Sequence, residues 1–122
     1  IPPHLHRDFY TRQRFTLNVT RDDMRAAGFS PSVRLFEAAA CATPIISDRW
    51  PGIEQLFEPG REILLADDTA QVVAYLTQMP HEERHAIGRR AHERVMAEHT
   101  AAHRAAQLVE WLTEAADARA VA

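Results

Sequence analysis

Apolar and polar positions change period several times along this chain, and each change marks an element. Residues 14–20 (RFTLNVT) set Phe15, Leu17 and Val19 against Thr16 and Asn18, the two-residue period of a strand. From Pro31 to Asp48 (PSVRLFEAAACATPIISD) the period becomes helical: Val33, Phe36, Ala40 and Cys41 form a stripe. Leu35, Ala38, Ala39 and Ala42 are small or apolar enough to be covered too, which predicts a helix buried on most sides. Ser32 suits its N-cap, Pro44 stops it, and Thr43 before the proline is pushed toward extended geometry. Ile45 and Ile46 then open a strand that ends at Ser47 and Asp48.

Around this unit the pattern continues. Residues 4–13 have helical spacing through Leu5 and Phe9, and Met24 to Gly28 read as a short helical turn. Pro51 suits the first position of a short helix through Gly52, Ile53, Leu56 and Phe57. After the turn Glu58-Pro59-Gly60, residues 62–66 (EILLA) read as a third strand, apolar after its first residue as strands covered on both faces are. Thr69 is expected to cap a helix that runs to Gln78 with Val72, Val73, Tyr75 and Leu76. Two further helices follow, over about 81–97 and 100–116, the second expected to bury Leu108, Val109, Trp111 and Leu112. The order strand, helix, strand, helix, strand calls for right-handed parallel crossovers. The fold class expected is therefore α/β, a Rossmann-like parallel sheet with flanking helices, in one domain over residues 1–116 with a frayed tail at 117–122.

Composition narrows the function classes. Hydrophobic content of 46% and charged content of 25% are those of a globular protein. All 14 basic residues are Arg, and a net charge of −3 argues against a general nucleic-acid binder. No apolar run approaches the roughly 18 residues of a membrane span. The single cysteine, Cys41, excludes an internal disulfide and fits a reducing, cytoplasmic setting. The chain opens at Ile1 rather than Met, which reads as a fragment of something longer.

Candidate chemistry is sparse. Glu37 interrupts the apolar helix, and a carboxylate there must find a partner, reach solvent or meet a ligand. An ordinary pairing with Arg34, one turn earlier, would satisfy it. His81-Glu82-Glu83-Arg84-His85 matches the H-E-x-x-H pattern, with Gly88 and His92 almost extending it. However, the third histidine of the longer form would fall at Ala91, and the motif sits at a helix start just after Pro80. The reading preferred is a solvated polar face, with His99 and His103 as surface histidines and no metal site. No G-x-G-x-x-G and no nucleophile-elbow pattern occurs.

The segment FEAAACATPIISD, a buried helix carrying one Glu, resembles the "E-A-x-A-C-G-x-P-hydrophobic" segment in the C-terminal domain of group 1 GT-B glycosyltransferases. The longer stretch NVTRDDMRAAGFSPSVRLFEAAACATPIISDRWPGIEQLFEPGREILL is most similar to the CgeB-like branch, and the likeness extends from about Phe15 to about Arg104. It implies a partial C-terminal donor-binding domain, taking a nucleotide diphosphate sugar. Glu37 would bond the ribose hydroxyls, and the turn from Gly28 through Ser30 to Ser32 would approach the phosphates at the helix N-terminus near Val33. Arg21 or Arg34 would offset the charge on the leaving nucleotide, without a metal or other cofactor.

Two positions depart from the pattern: Phe29 stands where many group 1 enzymes have a second Glu facing the donor sugar, and Ala42 stands where the family Gly follows the Cys. The catalytic residues stay unassigned, and with the acceptor domain elsewhere this chain alone is expected to be inactive. The alternative is a non-catalytic, nucleotide-binding-like or oligomerisation module. An uncovered edge on strand 15–20 leads us to expect a homodimer or higher oligomer.

Overall fold

Three short strands and six α-helices make up the computed structural model, which describes residues 1–121, with side chains described to residue 119. The strands are β1 (Thr16–Asn18), β2 (Ile45–Ser47) and β3 (Leu64–Leu65). They form one parallel sheet in the order β1-β2-β3. The α/β class and the parallel sheet with flanking helices expected from the sequence are thus observed. The helices are α1 (His6–Thr11), α2 (Asp22–Ala27), α3 (Val33–Ala40), α4 (Thr69–Gln78), α5 (His81–Glu98) and α6 (Ala101–Val121).

Register fixes which residues share a face. Leu17, Ile46 and Leu64 lie side by side, as do Asn18, Ser47 and Leu65, and successive side chains alternate between faces. One face carries Ile45 and Leu65 under Leu35, Ala38 and Ala39 of α3 and Ala91 and Val95 of α5, with Tyr10, Trp50, Ile53 and Phe57 closing the cluster. The opposite face carries Ile46 and Leu64 under Val72 and Tyr75 of α4 and Ile87 of α5. Helix α5 therefore serves both clusters, one with each half.

Several sequence expectations are corrected. The alternation in β1 is inverted: Thr16 and Asn18 are buried, whereas Leu17 and Val19 are 51% and 70% exposed. The inward polar groups are satisfied, Thr16 Oγ1 donating to Gln13 Oε1 at 2.8 Å and Asn18 Nδ2 to Ser47 Oγ at 3.0 Å, and no helix roofs the outward face of β1. In α3 the residues that meet the sheet are Leu35, Ala38 and Ala39, while Val33 and Ala40 of the expected stripe are exposed. At the N-terminus a 3-10 turn, Pro3–Leu5, precedes α1, and Tyr10 rather than Leu5 or Phe9 is buried. The helix expected after Pro51 is only a 3-10 turn, Ile53–Gln55. Asp68 caps α4 instead of Thr69, accepting from the Gln71 backbone N–H at 2.8 Å.

The largest correction concerns α6. Its Leu108, Val109, Trp111 and Leu112 are all more than half exposed, because among the described residues no other element packs onto them. It also continues to Val121, past the expected end at Ala116, since residues 115–120 contain neither Gly nor Pro to stop it. Residue 122, the end of the expected frayed tail, lies outside the described residues.

One close approach ties α3 to α5. Helix α3 ends in a Schellman turn: Thr43 N–H donates to Ala38 O at 3.0 Å and Ala42 N–H to Ala39 O at 2.8 Å. Ala42 itself has φ +53°, a conformation that usually belongs to glycine. Against this turn lies Gly88 of α5, where a Cβ would stand 2.2 Å from Ala42 O. A buried charge is also resolved here. Glu62, which opens the third apolar run, accepts from Arg94 Nε at 3.0 and 3.2 Å and from the Glu58 backbone N–H at 2.8 Å. These bonds, and that from Arg94 to Glu98, raise the Arg94 pKa above its ordinary value.

Candidate functional site

In open parallel sheets ligands are met at the carboxyl ends of the strands, which here are Asn18, Ser47 and Leu65. Asn18 is almost fully buried and acts as a junction: its amide nitrogen donates to Ser47 Oγ, and its oxygen accepts from Arg34 at 3.4 Å. Just beyond, Asp48 accepts from the Thr20 N–H at 3.1 Å and from Thr20 Oγ1 at 2.7 Å. The loop after β1 is thereby pinned to the loop after β2. Neither Asn18 nor Asp48 was singled out by sequence reasoning. The available signal was the pair of polar residues, Asn18 and Ser47, that ends both apolar strands.

The pinned loops leave a pocket of about 400 Å³ lined by Thr20, Arg21, Met24, Ser32, Val33 and Arg34. Four expected site residues, Arg21, Ser32, Val33 and Arg34, therefore do converge. Ser32 caps α3, its Oγ accepting from the Arg34 backbone N–H at 3.4 Å. Arg21 is exposed, and its side chain makes no hydrogen bond or ion pair among the described residues.

Three expected residues stand apart from that pocket. Gly28 has the positive φ foreseen for it, +65°, but it is buried and its missing side chain admits Pro51, whose Cβ would lie 3.1 Å from an added Cβ. Ser30 is half-buried and lines none of the pockets described here. Glu37 lies one helical turn beyond Val33, half-buried beneath α1. It does not pair with Arg34. Its Oε1 accepts from His6 Nδ1 at 3.0 Å and its Oε2 from the Tyr10 hydroxyl at 3.0 Å. Burial, then the bond to Glu37 and its negative charge, raise the Tyr10 pKa. Burial likewise raises that of Cys41, with Glu37 adding to the effect and Arg7 opposing it.

On the other side of Val33 lies a larger, apolar cavity of about 790 Å³ between α3 and α6, bordered by Phe29, Phe36, Trp50, His99 and Trp111. Its wall corrects the reading of His99 as a surface residue. The ring sits 5.7 Å from Phe36 and 6.1 Å from Phe57, centroid to centroid, with Nε2 donating to Leu56 O at 3.1 Å and Nδ1 facing Arg104. His92 likewise turns inward, its Nδ1 donating to Ala40 O at 2.9 Å. That removes it from any extended H-E-x-x-H arrangement, and among the described residues no group of three His, Cys, Asp or Glu is placed to hold a metal.

The family profile described as glycosyl transferase-like matches residues 1–110. The chain belongs to this family. No curated protein and no solved structure matches it. In this glycosyl transferase-like chain the match takes in the Arg21–Arg34 pocket and the whole sheet, and it also covers His81 to His99, where a zinc-protease reading would have to sit. Among the described residues no helix is long and apolar enough to cross a membrane.

Proposed function

We propose that this glycosyl transferase-like chain is the donor-binding part of a GT-B enzyme of the CgeB-like branch, holding a nucleotide diphosphate sugar at the carboxyl end of its sheet. The observation that carries the reading is the convergence of Arg21, Arg34 and the first turn of α3 on one pocket. Two guanidinium groups and a helix N-terminus suit a diphosphate, which each favours by charge and by N–H donation. With that much fixed positive charge at hand, the departure of the nucleotide needs no resident metal.

Glu37 would take the ribose. It lies about 6 Å along the helix axis from Val33, four residues at 1.5 Å each. An ionised carboxylate accepts at about four lone-pair positions, so the bonds from His6 and Tyr10 leave room for two ribose hydroxyls while fixing the orientation of the group. Phe29, in the position of the second Glu, places an exposed apolar ring where the donor sugar would be met. The acceptor would be bound by a further domain, so these residues alone would hold the donor without transferring sugar, in the cytoplasm.

Titration calorimetry with UDP, GDP and dTDP tests this. One of the three should bind, and Arg21→Ala, at an exposed side chain, should weaken it about tenfold by removing a charge-assisted bond. Glu37→Ala should weaken the nucleotide but not inorganic pyrophosphate, since only the former has a ribose. Absence of binding to a chain shown to be folded by circular dichroism would overturn the donor reading.

A second reading, an oligomerisation module, is favoured by the exposed Leu108, Trp111 and Leu112 of α6 and by the open edge of β1. We propose a homodimer through such a surface, compatible with donor binding. A monomer by light scattering at high protein concentration would overturn it.

A further inference from the structure

The H-E-x-x-H segment is not absorbed by the donor site, and its geometry is specific. His81 and His85 lie in the first two turns of α5, both exposed, with their Nε2 atoms 3.1 Å apart and ring centroids 4.3 Å apart. The two Nε2 atoms stand within hydrogen-bond distance of each other. Two imidazole nitrogens bound at about 2.05 Å to one metal ion and lying 3.1 Å apart subtend about 98°, between the square-planar and tetrahedral angles. A metal held between the two nitrogens would replace the contact they make with each other.

We propose that His81 and His85 form a two-nitrogen site for a divalent transition metal such as Zn²⁺ or Ni²⁺, remote from the donor pocket. His85 borders a pocket with Arg14, Thr43 and Pro44, at the strands' amino ends, whereas Arg21 and Arg34 lie at their carboxyl ends. The site is not a hydrolytic centre: His92 is bonded to Ala40 O, and water would fill the remaining positions. Its effect would be structural. Pro80 gives α5 no side-chain cap, so the first turn is held only by backbone bonds, and a metal clip between positions i and i+4 would secure it.

Two positive side chains, Arg84 and Arg89, share this helix with the pair. Arg84 is drawn aside, its guanidinium carbon 5.9 Å from the centre of the Phe15 ring. A metal must displace any proton from either nitrogen, so protons compete with it for the site.

The test is Zn²⁺ titration of the chain by calorimetry, followed by imidazole ¹⁵N NMR. One Zn²⁺ per chain should bind, shifting Nε2 of His81 and His85, and the melting temperature should rise with Zn²⁺ concentration. His81→Gln and His85→Gln, both at exposed positions, should each weaken binding about tenfold or more, because a single imidazole remains. His103→Gln should leave it unchanged, and Mg²⁺ should not bind. Zn²⁺ binding unaltered in His85→Gln, or no binding at about 1 mM Zn²⁺, where a bound ligand would shift the melting point measurably, would overturn the proposal.

Discussion

The two faces of the sheet treat β1 differently. Beneath α3 and the second half of α5 the first face is closed over all three strands: Thr16 and Asn18 of β1 are as buried as Ile45 and Leu65. On the second face α4 and the first half of α5 close over Ile46 and Leu64, but the roof stops there and their neighbour Leu17 is half exposed. Residues in one register row therefore have unequal weight. Apolar character marks a residue as able to be buried, whereas burial is decided by which helices lie above it.

The closed face can be broken most sharply at Gly88. A Cβ there would meet the Ala42 carbonyl oxygen at 2.2 Å, and neither group is a flexible side-chain end that could move aside. Gly88→Ala should cost about 3 kcal/mol, the upper part of the range for overpacking, by forcing α5 away from α3. Urea denaturation would measure it. A cost below about 1 kcal/mol would mean that the α3–α5 contact is looser than described.

Ala42 sharpens the same contact with the opposite sign. Its φ of +53° is unfavourable for an L-residue by about 1 to 2 kcal/mol, and glycine adopts it freely. Ala42→Gly should therefore stabilise the chain by about 1 kcal/mol after the extra flexibility of the unfolded glycine is counted. The melting temperature should rise by a few degrees, about 4 °C per kcal/mol for a domain of this size. Ala42→Val at the same position should lower it. What suits glycine to position 42 is thus the backbone angle rather than the small volume of its side chain.

How much of this was legible in the sequence follows from what each signal depends on. The α3–β2 unit was readable because Ser32, Pro44 and the Ala run are local determinants: Ser32 is the cap, and the helix ends at Ala40, shortly before Pro44. The parallel sheet followed from element order. The inverted β1 was not legible, since its inward Asn18 and Thr16 are satisfied by Ser47, 29 residues away, and by Gln13. Nor were the partners of Glu37: His6 and Tyr10 lie 31 and 27 residues away, and Arg34 was the nearer choice. Of the expected site, Arg21, Ser32, Val33 and Arg34 converge because they flank a single helix N-terminus, while Gly28 is taken up by Pro51, a loop contact that has no local signature.

The smallest effect lies on the open face, and it tests the comparison directly. Leu17→Thr keeps β propensity and removes apolar surface that is already half in water, so it should change stability by no more than about 0.5 kcal/mol. Ile46→Ala, the next residue in the same row, should cost about 3 kcal/mol because its side chain is enclosed by α4 and α5. If both substitutions proved equally costly, Leu17 would have to be covered in solution by something beyond this chain's own helices. In that case Leu17→Thr should make stability less dependent on protein concentration and lower the mass seen by light scattering, because a second copy joined at the β1 edge is then the cover. With Leu17→Thr silent in both measurements, the β1 face is free and any dimer must form elsewhere, with the exposed Trp111 face of α6 the larger apolar surface available.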